Sequence, residues 1–63
     1  MSLTCQAIIE RAKDMAALSL RLGEVANNPR FPKALRYRAI VMSDHALELS
    51  EQFEALLGEI RHR

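Results

Sequence analysis

The chain has 63 residues, a formal net charge of +1 and 49% hydrophobic residues. A domain this short buries little surface and usually gains support from disulfides, a metal or association. Its single cysteine excludes an internal disulfide, and two histidines with one cysteine make no zinc pattern. No signal-peptide pattern or long apolar run is present. We therefore expect one cytoplasmic domain over residues 1–63, stabilised by oligomerisation rather than by a cofactor.

Two helices are predicted, over about residues 3–26 and 33–61, because apolar residues recur there with a helical period and no segment alternates like a strand. Asn27 suits the left-handed conformation that often ends a helix, and Pro29 disfavours helix at Asn28. Pro32 fits the first position of the second helix, where its missing N–H costs nothing. The sequence thus predicts an all-α, antiparallel two-helix hairpin with a turn at about residues 27–32.

Small residues recur at spacings of four, three and four in both helices. When the chain folds back at the turn, the numbers of facing small residues add up to 62 in every pair. Small side chains allow helix axes to approach to about 8 Å, which would explain a glycine inside the first helix. We predict a small-residue seam of Ala12, Ala16, Ser19, Gly23, Ala39, Ser43, Ala46 and Ser50.

Large apolar residues lie to one side of this seam in both helices, and in the second helix they follow a coiled-coil heptad. We call these residues the apolar face: Ile8, Met15, Leu18, Leu22, Val25, Leu35, Met42, Leu49, Phe53, Leu56 and Ile60. One hairpin cannot cover such a face, whereas two hairpins can bury it in a four-helix bundle. A homodimer is therefore expected, and an obligate heteromer would satisfy the same physics.

No catalytic or metal site is predicted. Serines are plentiful, but neither histidine belongs to a nucleophile–base motif, and there is no glycine-rich phosphate loop. Glu59 and His62 have the Glu-x-x-His spacing of di-iron bundles. Ile60 takes the core position between them, however, which turns both side chains outward. We therefore expect that the protein is not an enzyme and binds no cofactor.

Charge is distributed unevenly along the second helix. Residues 30–38 contain four cations and no anion, whereas residues 39–60 contain five anions and no cation. This order opposes the helix dipole, which favours anions at the N-terminus. It could orient two hairpins, or it could bind an acidic partner or nucleic acid with help from two aromatic residues. We call this segment the basic turn cluster: Arg30, Phe31, Lys33, Arg36, Tyr37 and Arg38.

These features predict a small regulatory or adaptor protein that acts through protein binding as a self-associating hairpin. One alternative is an RNA- or DNA-binding dimer that contacts phosphates through the basic turn cluster. Another is a subunit or co-chaperone in an obligate heteromer, which would bind its partner through the apolar face.

Overall fold

A computed structural model describes residues 3–62 of the chain. Two helices, α1 (Leu3–Ala26) and α2 (Lys33–Arg61), pack against each other, and no strand occurs in the described part. The prediction of an all-α two-helix hairpin is confirmed. The helices share one long contact, so each lends only one side to the packing inside the hairpin.

The turn differs from expectation in its backbone. No non-glycine residue between positions 3 and 62 has a positive φ, so the left-handed conformation predicted for Asn27 is wrong. Helix α1 ends instead through backbone bonds in which the Asn27 N–H donates to the Gly23 carbonyl and the Asn28 N–H donates to the Val25 carbonyl. The Asn28 side chain then accepts from the Arg30 N–H at 3.0 Å. A local side-chain turn of this kind replaces the left-handed ending.

Helix α2 begins at Lys33, as predicted, so Pro32 precedes the helix instead of taking its first position. Pro32 is the N-cap, with φ −57° and ψ 149°, rather than the first helical residue. Its carbonyl accepts from the Arg36 N–H at 3.0 Å, but no side chain caps the helix. The first N–H groups of α2 therefore start the helix beside cations, without the carboxylate or hydroxyl that usually satisfies them.

Hydroxyl groups fix the register of the two helices. The Ser19 hydroxyl lies 3.1 Å from the Ser43 carbonyl, and the Ser43 hydroxyl lies 3.0 Å from the Ser19 carbonyl. Each hydroxyl has one proton, so this reciprocal pair uses both donors. Nearer the chain ends, the Ser50 hydroxyl donates to the Ala12 carbonyl at 3.1 Å. Both contacts join residues whose numbers add up to 62.

The buried residues follow the same line between the helices. They are mostly small: Cys5, Ala12, Ala39, Ala46, Ser50 and Leu57. No large side chain in the described part is fully buried. The molecule measures 47 × 15 × 11 Å with a radius of gyration of 14.6 Å, whereas a compact domain of this length would have about 11 Å. The hairpin is one layer of two helices, and its broad sides face outward.

Candidate protein-interaction surface

The apolar face remains open in the single hairpin. Five of its members are between 44% and 53% exposed: Leu18, Leu35, Met42, Leu49 and Leu56. The other six are partly buried, and none belongs to the buried core. Large side chains of this kind are usually covered in a folded protein. The face is therefore apolar surface that intramolecular packing leaves in contact with water.

A shallow groove crosses the face near the turn and joins the two helices. Its volume is about 300 Å³, and its lining comprises Leu22, Val25, Leu35, Arg38, Ala39 and Met42. Four of these belong to the apolar face, two from each helix. The structure thus brings both helices' large side chains together around one depression. Arg38 places a guanidinium-bearing side chain at its border.

A larger groove, of about 430 Å³, lies toward the open end of the hairpin. Ala12, Ala16 and Ser50 of the seam take part in its lining, together with Ile8 and Phe53 of the apolar face. Its remaining lining residues are Ile9, Lys13, Glu54, Leu57 and Arg61. The short seam residues leave this space between the longer side chains on either side.

A second apolar set was missed by the sequence prediction. Leu20 is 74% exposed, Ile40 47% and Leu47 50%, and Ile9 is partly buried. By helical phase these four residues lie on the opposite side of the seam from the apolar face, and we call them the rear stripe. The helical period that predicts the apolar face also marks this smaller set, because its members recur on one side of each helix.

The basic turn cluster does not form one patch. Lys33, Arg36 and Tyr37 line a groove of about 210 Å³ with Ala26 and Ile40. Arg38, in contrast, lines the groove on the apolar face. The cluster's cations are therefore divided between two sides of the hairpin, with Arg30 exposed in the turn.

No ion pair involves these cations in the described residues. The one ion pair found there joins Arg21 and Glu24 at 3.5 Å, with both side chains largely exposed. Arg36 is partly buried, and its Nε atom is shielded from solvent without a hydrogen-bond partner. Phe31 is 38% and Tyr37 67% exposed. Near this end of the hairpin, Glu24 already pairs with Arg21, and the carboxylates of α2 begin only at Asp44.

Between positions 3 and 62, no group of three or more His, Cys, Asp or Glu side chains is placed to hold a metal ion. Neither helix of that part is long and apolar enough to cross a membrane. Cys5 is buried between the helices near the open end.

Comparisons with protein-family models, with curated proteins and with solved structures find no significant match to this chain. The surfaces of the hairpin itself are therefore the basis for its proposed function.

Proposed function

We propose that this protein is a non-enzymatic regulatory or adaptor protein that acts through protein–protein binding, and that its basic unit is a homodimeric four-helix bundle. The observation that carries the proposal is the exposure of the apolar face. Five large side chains on one side of the hairpin remain about half exposed, while the core between the helices is built mainly from alanine and serine.

A second copy is the occupant that fits this face best. The cations of residues 30–38 and the anions of residues 39–60 lie at different levels of the same helix. Complementary charges of this kind flank the contacts of many paired helices and select their orientation. The same chain thus supplies both the apolar surface and the two opposite charges that an identical partner needs.

The experiment compares two matched substitutions. Leu49→Asp places a carboxylate in the middle of the apolar face, and Leu47→Asp places one on the rear stripe, at a side chain of similar exposure. We expect the unmodified chain and the Leu47→Asp variant to sediment as dimers. The Leu49→Asp variant should be monomeric or unfolded, because an unpaired charge is costly to bury.

Three results would contradict the proposal. The first is that the unmodified chain remains a folded monomer at all concentrations. That result would favour an obligate heteromer or no association. Another is dissociation by Leu47→Asp but not by Leu49→Asp, which would place the interface on the rear stripe. The third is equal behaviour of both variants.

Nucleic-acid binding is a second candidate, favoured by the groove that Lys33, Arg36 and Tyr37 line without any carboxylate. An aromatic ring beside cations can stack on an unpaired base. Retention on an RNA homopolymer at low salt, lost by about 200 mM, would support it. The double variant Lys33→Ser/Arg36→Ser should abolish that retention, while Lys13→Ser, which removes a cation elsewhere, should preserve it. Unchanged retention in the double variant would exclude phosphate contacts by this groove.

A further inference from the structure

One column of side chains borders the apolar face along α2. Arg38, His45, Gln52 and Glu59 recur every seven residues, so they share one side of a helix packed in heptads. All four are exposed, and Arg38 also lines the groove on the apolar face. The column therefore has a cation near the turn, an anion near the open end, and an imidazole and an amide between them.

We propose that the two copies pack apolar face to apolar face with their turns at opposite ends, so that α2 lies antiparallel beside α2 of the second copy. This orientation rests on the self-association proposed above and specifies its geometry. One register then sets Arg38 opposite Glu59 of the second copy and His45 opposite Gln52 of the second copy, because both pairs of residue numbers have the same sum. Two-fold symmetry makes each pairing occur twice.

The opposite arrangement, with both turns at the same end, offers less of this complementarity. There α2 would lie beside α1 of the second copy, at the levels that face each other within one hairpin. Arg38 would then lie level with Glu24 of the second copy, because these two numbers also add up to 62, but that carboxylate already pairs with Arg21 at 3.5 Å. Glu59 would lie level with the beginning of α1, where residues 3–10 contain no cation. Glu59 would therefore meet no opposite charge on the second copy, whereas turns at opposite ends pair both ends of the column.

Charge exchange tests the pairing of Arg38 with Glu59. Arg38→Glu and Glu59→Arg should each raise the Kd of the dimer roughly tenfold, since each turns two exposed attractive pairs into repulsive ones. The double variant Arg38→Glu/Glu59→Arg should return to the Kd of the unmodified chain. Lys33→Glu and Glu51→Arg make similar charge changes away from the column and should leave the Kd within about twofold.

The same measurement can overturn the orientation. Arrangement of both turns at one end predicts that Glu59→Arg leaves the Kd unchanged and that adding it to Arg38→Glu restores no affinity. The proposed pairing would also be excluded if the double variant lost as much binding free energy as the two single variants lose together.

A distance measurement separates this inference from the homodimer itself. A spin label is attached to the cysteine of Ala34→Cys, in the first turn of α2. The variant also carries Cys5→Ala, so that each chain has one label, and its sedimentation must match that of the unmodified chain. Turns at opposite ends should separate the labels by a distance approaching the 47 Å length of the hairpin. Turns at one end should give about 10–15 Å, the spacing of neighbouring and diagonal helices. A short distance in a dimer would refute only the orientation, whereas a monomer in sedimentation would refute the proposed function as well.

Discussion

The small-residue seam and the apolar face run side by side along the same two helices, yet they are built from opposite kinds of side chain. The seam consists of alanine, serine and glycine, contains most of the buried residues and is held by three inter-helix hydroxyl–carbonyl bonds. The apolar face consists of leucine, methionine, isoleucine, valine and phenylalanine, and much of it is exposed. The seam determines how the hairpin closes, whereas most of the large apolar surface lies outside that contact.

This difference has an energetic consequence. Burial stabilises by about 0.8 kcal/mol per CH₂ group, so an alanine in the seam contributes far less than a leucine would. A hydrogen bond between the helices adds about 1 kcal/mol net. The seam therefore specifies register more than it stabilises, and the stability of the protein should depend on covering the apolar face.

The largest effect is expected from Phe53→Ala. Phe53 belongs to the apolar face, is partly buried in the single hairpin and lines the larger groove. Removing its ring should lower the free energy of unfolding by about 3 kcal/mol or more, because both the transfer free energy and packing contacts are lost. Denaturant unfolding at two protein concentrations measures this. Tyr37→Ala is the matched control, since that aromatic ring is 67% exposed and away from the face. Equal effects of the two changes would contradict a special role for the apolar face.

Ala46→Leu should have the next largest effect. Ala46 is 5% exposed, so a larger side chain has no space between the helices unless they separate. Overpacking of this kind costs typically about 1–3 kcal/mol. The control, Ala55→Leu, places the same side chain at an exposed position of α2 and should be nearly neutral. A stabilised Ala46→Leu variant would show that the seam is looser than the structure indicates.

A smaller loss is expected from Ser43→Ala. This change removes the hydroxyl that donates to the Ser19 carbonyl at 3.0 Å and deprives the Ser19 hydroxyl of one neighbour at 3.1 Å. The free energy of unfolding should fall by about 1 kcal/mol. A double-mutant cycle with Ser19→Ala isolates the pair, and strictly additive effects would mean that the two hydroxyls do not interact.

Much of this fold could be predicted from the sequence because two independent patterns agree. Pro29 and Pro32 mark the position of the turn. The spacing of the facing serines, which does not depend on the prolines, predicts a register with its centre at the same position. The ending of α1 could not be read in this way, since an asparagine can end a helix either by its own backbone conformation or by its side chain. The rear stripe was missed because the larger set of apolar residues on the other side of the seam dominated the pattern.

The candidate surface shows a different limit of sequence reasoning. Periodicity places the eleven residues of the apolar face on common sides of the helices, but the identity of a partner molecule leaves no signal in this pattern. The basic turn cluster was predicted as a unit from nearness along the chain. In the structure Arg38 lines one groove while Lys33 and Arg36 line another, because successive residues of a helix point in different directions.

The smallest predicted effect, from Gly23→Ala, distinguishes the seam's small residues from one another. A Cβ atom built on Gly23 would meet no atom within 4 Å, so close approach of the helices does not require glycine there, in contrast to the expectation from its place in the seam. Alanine should therefore stabilise α1 by about 0.5–1 kcal/mol, the usual difference in helix propensity. Gly58→Ala, also in open space, is the matched control in α2 and should behave similarly in thermal unfolding. The opposite result would be that Gly23→Ala destabilises the protein while Gly58→Ala stabilises it. The helices would then have to lie closer together near the turn than they do in this structure, and close helix contact along the seam would reach Gly23.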